Sequence, residues 1–178
     1  DYKMLLNNLI QMIFYGIQVE NMEQVKEYVA QGLSILETEE RETEEKGVFV
    51  RLQGWYLLHT GKYEEADRVL HRAMEIFKTC AKDEEYFSMS IAACQGYLGD
   101  LYRARGDFDK AREFYQSAIE LGTGKVVTNG LGQFYSNMGQ VLYLENQYEK
   151  AEEYLEKAVS CLKGHGYYWG LERALAYR

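Results

Sequence analysis

Three stretches of the chain share one pattern of apolar, small and polar positions. They begin at Gly61, Gly106 and Asn146 and read GKYEEADRVLHRAMEIF, GDFDKAREFYQSAIEL and NQYEKAEEYLEKAVSCL. Each has an aromatic residue two positions in, an alanine three further on and a second alanine seven after that. Apolar positions at three- and four-residue steps are typical of an amphipathic helix, whereas a strand alternates every two residues. The pattern therefore predicts one helix per stretch.

The stretches recur at nearly constant spacing. Their first residues lie 45 and 40 positions apart, and a weaker copy, ENMEQVKEYVAQGLSIL, begins at Glu20, 41 positions before Gly61. In this weaker copy Val25 and Gly32 stand where the other copies have alanine. A period of this length indicates an array in which each unit buries its apolar face against its neighbours.

A second helix is predicted upstream of each stretch, and it carries a recurring glycine (Gly54, Gly99, Gly139). Glycine inside a helix costs about 1 kcal/mol relative to alanine, so its recurrence indicates close packing. We expect Gly99 to face Ala111 across a helical hairpin, with Tyr102 and Tyr115 on either side. The first residue of each stretch is expected to end the upstream helix in a left-handed conformation.

The second alanine of each stretch is expected to pack on the next hairpin (Ala73, Ala118, Ala158). The predicted helices span 2–18 and 22–38, 47–60 and 63–80, 84–105 and 108–122, and 127–145 and 148–163. A ninth helix is predicted to begin near Tyr167 and to open a truncated fifth hairpin over 167–178. We interpret 1–178 as one all-α repeat domain and as a piece of a longer protein.

The acidic run ETEERETEEKG, from Glu37 to Gly47, separates the first two predicted hairpins. We interpret it as a solvated helix end and connector, and an acidic docking site is the alternative.

The repeated residues resemble the tetratricopeptide repeat family. Its pattern of small and large residues is matched nearly whole by one copy: Leu98, Gly99, Tyr102, Gly106, Phe108, Ala111, Tyr115 and Ala118. The resemblance implies an α-solenoid, a right-handed superhelix of four stacked antiparallel hairpins and a truncated fifth. The units are longer than is usual in the family and lack its closing proline. In this they are similar to the maltose-regulon activator class of bacterial regulators, and quorum-sensing peptide receptors of Gram-positive bacteria and kinesin light chains have such units as well.

Charge and composition exclude several classes of partner. The formal net charge is −8 without a stripe of Lys and Arg, so direct binding of nucleic acid by this segment is not expected. The sequence has no apolar stretch long enough to span a membrane. Three widely spaced cysteines without a CxxC motif (Cys80, Cys94, Cys161) favour a reducing, cytoplasmic environment over a disulfide framework.

The sequence offers no catalytic or cofactor-binding motif. The three histidines are isolated, and GTGK at Gly122–Lys125 lacks the glycine and hydroxyl residue that a phosphate-binding loop needs at Ile119 and Val126. We interpret GTGK as a helix end and turn. The chain is therefore predicted to be non-enzymatic, without cofactor or metal.

The resemblance also implies where a partner would bind, because the first helices of stacked hairpins line the concave face. The residues that the family register places there are Phe14, Arg51, Trp55, His59, Asp100, Arg103, Gln133, Gln140 and Tyr143. Aromatic residues and arginine favour interaction sites. The resulting hypothesis is a ligand- or protein-binding module of a bacterial transcriptional or signalling regulator, which holds a protein, a peptide or a small-molecule inducer.

The alternative hypothesis is a passive docking or oligomerisation scaffold without a small-molecule ligand. In either case, the apolar ninth helix is a candidate for self-association.

Overall fold

A computed structural model gives the architecture of the chain and describes residues 2–80, 83–123, 129–164 and 176. All regular structure in these residues is helical, which confirms the all-α prediction. The eight helices are α1 (Tyr2–Gln18), α2 (Met22–Leu36), α3 (Glu44–His59), α4 (Tyr63–Cys80), α5 (Glu84–Ala104), α6 (Phe108–Gly122), α7 (Asn129–Leu144) and α8 (Tyr148–Gly164). The predicted ninth helix, apart from residue 176, and the end of the GTGK segment lie outside the described residues.

The chain divides into two compact units, Asp1–Ser90 and Ile91–Arg178, and the boundary falls within α5. In the first unit, α1 packs on α2, and α3 packs on α4. In the second, α7 packs on both α6 and α8 around a core that includes Tyr115, Phe134 and Met138. The interpretation of 1–178 as one repeat domain remains a prediction.

Each of the four hairpins has one turn between its two helices, and all four turns have the same backbone conformation and hydrogen bonds. The second residue after each first helix has a positive φ, 58° at Glu20, 75° at Gly61, 79° at Gly106 and 62° at Asn146. At Gly61 the amide N–H donates to the Leu58 carbonyl, and the next amide donates to the carbonyl five residues back. The other three turns repeat both bonds, which satisfy carbonyls that a helix end leaves free. The left-handed turns predicted from the sequence are confirmed.

Glu20 is the one side chain among these four turns that is poorly suited to its backbone, because a left-handed conformation brings Cβ close to the following carbonyl. We expect Glu20→Gly to raise the free energy of unfolding by about 1 kcal/mol, measured by urea denaturation. Asn146→Gly is the matched control, since asparagine tolerates this conformation, and its gain should be smaller. Equal gains at both positions would contradict the expectation.

Glycines on the first helices leave space for a large side chain of the second helix of the same hairpin. A Cβ atom on Gly99 would lie 2.4 Å from the Tyr115 ring, and one on Gly139 would lie 2.7 Å from Leu155 Cγ. Gly54 meets Leu70 in the same way. The expectation of close approach is confirmed. The side chain nearest to Gly99 is that of Tyr115, sixteen positions on, whereas the sequence pattern predicted Ala111 opposite Gly99 and Tyr115 to one side.

In the first hairpin, one pair of packed residues has the small member on the first helix and the large member on the second, whereas other hairpins have the opposite arrangement. In the second unit, the large residues Tyr102 and Leu142 belong to the apolar cluster that contains the small residues Ala111 and Ala151. The equivalent residues of the first hairpin are Gly16 on α1 and Val25 on α2, and a Cβ on Gly16 would lie 2.5 Å from Val25 Cγ2. Val25 is fully buried. The larger side chain on α2 is thus accommodated by a smaller one on α1.

Among the described glycines, Gly32 leaves the least room for a Cβ atom. It occupies the position of the second alanine in α2, and a Cβ there would lie 2.0 Å from Phe49 Cε2 on α3. Phe49 is fully buried, so its ring fills the space that an alanine methyl would need. The second-alanine position of this hairpin therefore packs on the next hairpin, as the sequence predicted.

The acidic connector is more ordered than its composition suggests. Helix α3 begins at Glu44, three residues before the predicted start, because Thr43 Oγ1 accepts a hydrogen bond from the Lys46 amide and caps the helix. Glu42 pairs with Lys46 at 3.3 Å and with Arg72 at 2.6 Å. Capping and ion pairs therefore hold this connector between α2 and α3 in place.

Candidate functional site

An aromatic cluster joins the first helices of the first unit. The rings of Phe14 on α1 and Trp55 on α3 have centroids 5.8 Å apart, and the His59 ring lies edge-on to Trp55 at 5.5 Å. The His59 Nδ1–H donates to the Trp55 carbonyl at 2.9 Å, which fixes the orientation of the imidazole. Trp55 is buried, whereas Phe14 remains 42% exposed. The cluster therefore presents the exposed Phe14 ring against the buried Trp55 ring.

Arg51 lies one helical turn before Trp55 on α3. Its side chain is partly buried, and its Nε atom is buried without a hydrogen-bond partner. Burial of the Tyr86 hydroxyl raises the pKa of that tyrosine, and the charge of Arg51 opposes this increase. Arg51 thus adds a cation to the helix that carries Trp55 and His59.

A polar network occupies the second unit, centred on Asp100 of α5. Asp100 Oδ1 accepts hydrogen bonds from the Tyr115 hydroxyl at 2.6 Å, from Asn137 Nδ2 at 2.9 Å and from Arg103 Nη2 at 3.4 Å. Arg103 Nε also donates to the Tyr115 hydroxyl at 3.2 Å, and Gln133 Nε2 donates to Asn137 Oδ1 at 2.8 Å. One carboxylate therefore ties three helices together.

Burial and neighbouring charges within this network determine the protonation states of Tyr115 and Arg103. Burial raises the pKa of the Tyr115 hydroxyl well above its ordinary value, and the neighbouring charge of Asp100 raises it further. Burial lowers the pKa of Arg103, but the charges and hydrogen bonds of Asp100 and Tyr115 together outweigh burial and raise that pKa above its ordinary value. Tyr115 stays neutral and Arg103 stays charged throughout the physiological range.

Helix α7 contributes the remaining candidate residues. Gln140 is 3% exposed and its Nε2 atom has no hydrogen-bond partner, while Tyr143 is 42% exposed and packs on Tyr148 at 5.3 Å. Sequence reasoning missed Asn137, which bonds both Asp100 and Gln133. The sequence did contain a signal for it, because α3 has the apolar residue Leu52 at the equivalent position, whereas α7 has a polar one. All nine candidates thus lie on the first helices of hairpins. Some of them are exposed, and others belong to the partly buried polar network.

An open groove of about 550 Å³ lies on the second helices of the second unit. Its floor is formed by Met138 and Leu142 of α7, and charged residues of α6 and α8, such as Arg112 and Lys150, line its sides. Both signs of charge are present, since Asp109 and Glu113 also line it. This groove was not predicted from the sequence.

Two observations on the described residues concern metal binding and thiol reactivity. Among these residues no group of three His, Cys, Asp or Glu side chains is arranged to hold a metal ion. Burial raises the pKa of the Cys80 thiol, as do nearby glutamates, and burial also raises the pKa of Cys161. Thiols with a raised pKa are poor nucleophiles at neutral pH. Within the same residues, no helix combines the length and apolar character needed to cross a bilayer.

The repeating hairpins match a family model described as tetratricopeptide repeat, over residues 52–123 and 90–164, which is more than half of the chain. The chain belongs to the tetratricopeptide repeat family. Repeats of this family mediate protein–protein interaction. No curated protein matches the chain in sequence.

Solved structures share the repeat protein's fold at low sequence identity. A Rap protein complexed with Competence and Sporulation Factor superimposes with a TM-score of 0.80 at 16% identity, over 92% of this chain and 44% of that one. A signal-transduction ATPase with a tetratricopeptide repeat sensor, from Pyrococcus horikoshii, gives 0.74 at 21%, over 99% and 27%. BtubC from P. vanneervenii gives 0.72 at 21%, over 94% and 67%.

These likenesses show the fold alone. The chain spans less than half the length of the Rap protein and about a quarter of the Pyrococcus ATPase.

Proposed function

We propose that the chain is a non-catalytic binding module of a cytoplasmic regulator, and that the surface around Phe14 and Trp55 holds a segment of a protein or peptide partner. The observation that carries the proposal is the exposed Phe14 ring on the buried Trp55 ring. An aromatic side chain that is already held in place loses little conformational entropy on binding, so it can anchor a partner efficiently.

The surroundings of this pair suit an apolar anchor flanked by polar contacts. His59 and Arg51 lie on the same helix as Trp55, one turn after it and one turn before it. Besides the bonded His59 Nδ1 and the buried Arg51 Nε, their side chains carry further nitrogen atoms that can form hydrogen bonds. A partner side chain that covers Phe14 would bury apolar area, while its main chain would bond these polar groups. In the second unit, Tyr143 is the corresponding exposed aromatic candidate.

The regulatory context rests on the neighbours. One is a Rap protein in complex with a factor, and another is a signalling ATPase with a repeat sensor. Together with the long units, these likenesses support a bacterial transcriptional or signalling regulator in which the repeats sense a peptide or an inducer. A passive docking scaffold is the second candidate, and the open, mixed-charge groove of the second unit favours it, since a small molecule binds better in an enclosed pocket.

The test compares capture by the wild-type chain with capture by Phe14→Ala. Each immobilised protein is exposed to a lysate and to a peptide library, and bound proteins, peptides and small molecules are identified by mass spectrometry. Phe14→Ala is expected to weaken the affinity for the identified partner at least about tenfold, since an anchoring aromatic residue is removed. Isothermal titration with that partner gives the affinity.

Leu33→Ala is the matched control, because Leu33 is 39% exposed in the same unit but lies on a second helix. Its affinity should equal that of the wild type. Equal binding by wild type and Phe14→Ala would reject the proposed surface. A small molecule lost in Phe14→Ala would support sensing, whereas a folded protein lost in it would support docking.

A further inference from the structure

Arg51 is a partly buried cation without a counter-charge. It makes no hydrogen bond or ion pair with the residues that the structure describes, and its Nε atom is buried without an acceptor. Removing a charged group from water is costly unless a hydrogen-bonded partner compensates for the loss. A bound anion would therefore stabilise Arg51 more than it would stabilise an arginine in free solution.

Other partly buried arginines of the chain have such a partner. Arg103 pairs with the Asp100 carboxylate at 3.4 Å. Arg112 pairs with the Glu145 carboxylate, also at 3.4 Å. Among the partly buried arginines that the structure describes, Arg51 alone lacks a carboxylate.

The repeat explains why α1 and α3 do not supply one. Six residues before the turn residue, α5 has Asp100, whereas α1 has Phe14 and α3 has Trp55. Helix α1 contains no Asp or Glu, and the two glutamates of α3 lie in its first turn. Aromatic rings thus occupy the position at which α5 carries its acceptor.

The charge beside the rings suits a carboxylate. The other lysines of α1 and α3 are Lys3, which pairs with Glu45, and Lys46. Lys46 pairs with Glu42 at 3.3 Å, so Arg51 contributes the remaining positive charge. A carboxylate carries one negative charge and accepts two parallel hydrogen bonds from a guanidinium. A phosphate would bring nearly two negative charges to a chain of net charge −8, so it fits less well.

We propose that the partner segment held at Phe14 and Trp55 carries an aspartate or glutamate side chain whose carboxylate pairs with Arg51. The pairing rests on the proposed function, since the two rings hold the segment within reach of the guanidinium. It leaves His59 to bond the main chain of the segment.

The spacing on α3 specifies where the acidic residue lies in the partner. Arg51 precedes Trp55 by four residues, which is about 6 Å along the helix. In an extended peptide, side chains two residues apart point to the same side and lie about 7 Å apart. The acidic residue is therefore expected two positions from the apolar anchor.

Pools of synthetic peptides test this pairing. One pool has phenylalanine and glutamate two positions apart, in both orders, and a second has glutamine in place of glutamate. All other positions are neutral, and acetylated and amidated ends exclude a terminal carboxylate. The wild-type chain should bind the glutamate pool at least about tenfold more tightly than the glutamine pool, measured by fluorescence anisotropy.

Variants of Arg51 show whether this residue causes the preference. Arg51→Met removes the charge but keeps an aliphatic side chain, so it should bind both pools equally. Arg51→Glu should bind a pool with lysine in place of glutamate more tightly than the glutamate pool. Arg68→Met is the matched control, because Arg68 is an exposed arginine on α4, and it should keep the wild-type preference. Circular dichroism verifies that each variant is folded.

The outcomes separate this pairing from the proposed function. If the wild type binds both pools equally and Phe14→Ala weakens both, the pairing is overturned and the proposed surface stands. If the wild type binds neither pool, the pairing is overturned together with a peptide-binding role of this surface. A glutamine pool with free carboxyl ends that binds as tightly as the glutamate pool would assign Arg51 to a terminal carboxylate and overturn the proposal.

Urea denaturation gives a readout without any peptide. Arg51→Met should not lower the midpoint of unfolding, because the charge that it removes has no counter-charge in the chain. A midpoint lowered well beyond that of Arg68→Met would show that Arg51 is paired within the chain, and it would overturn the proposal.

Discussion

Replacing Asp100 with alanine is expected to lower the free energy of unfolding by about 3 kcal/mol. The Asp100 carboxylate accepts hydrogen bonds from Tyr115, Asn137 and Arg103, and its side chain is 20% exposed. Its removal leaves a buried hydroxyl, a buried amide and a guanidinium without their common acceptor. Urea denaturation followed by circular dichroism measures the loss.

Asp109→Ala provides the matched control, because Asp109 also pairs with an arginine, Arg112, but its side chain is 84% exposed. Its effect should stay within about 0.5 kcal/mol. Asp100→Asn keeps one acceptor oxygen and should cost less than Asp100→Ala. If Asp100→Ala and Asp109→Ala cost the same, the network does not stabilise the unit as its geometry indicates.

Gly32→Ala is the second substitution with a large expected effect, again a loss of about 3 kcal/mol. The new methyl group would lie 2.0 Å from the fully buried Phe49 ring, so α2 and α3 would have to move apart. Combining Gly32→Ala with Phe49→Leu removes the obstructing ring atoms. The double variant should lose less free energy of unfolding than the two single variants lose in total. Urea denaturation of the wild type and the three variants measures this difference.

Gly122→Ala serves as the control for the added methyl group. A Cβ there would lie 3.5 Å from Leu131 Cδ1, an ordinary contact, so this substitution should leave stability unchanged or raise it slightly. Strict additivity of Gly32→Ala and Phe49→Leu would show that the two residues do not compete for the same space.

The helices and turns were predictable because their causes are local. The three- and four-residue spacing specifies each helix, and Gly61 or Asn146 marks a left-handed turn whatever lies elsewhere in the chain. The start of α3 was missed for an equally local reason. The cap at Thr43 lies within a run of glutamates, where charge masks the capping signal.

Contacts between distant helices were less accessible to sequence reasoning. The bond from Asn137 to Asp100 joins residues 37 positions apart, and it depends on how one hairpin rests on the next. The repeat pattern specifies that hairpins stack, but not which polar atoms then meet. For the candidate site, the family register placed Phe14 and Trp55 on neighbouring first helices, and their rings are in contact in the structure. The roles of all nine candidate residues in binding remain predictions.

The reversed pair in the first hairpin has an evolutionary consequence. Gly16 and Val25 share a volume that the other hairpins divide in the opposite way, with the larger residue on the first helix. A single substitution towards the common pattern creates either an overfilled hairpin, from a larger residue at Gly16, or a hollow one, from Val25→Ala. The two positions must therefore change together, so sequences descended from this one should retain both residues or exchange both.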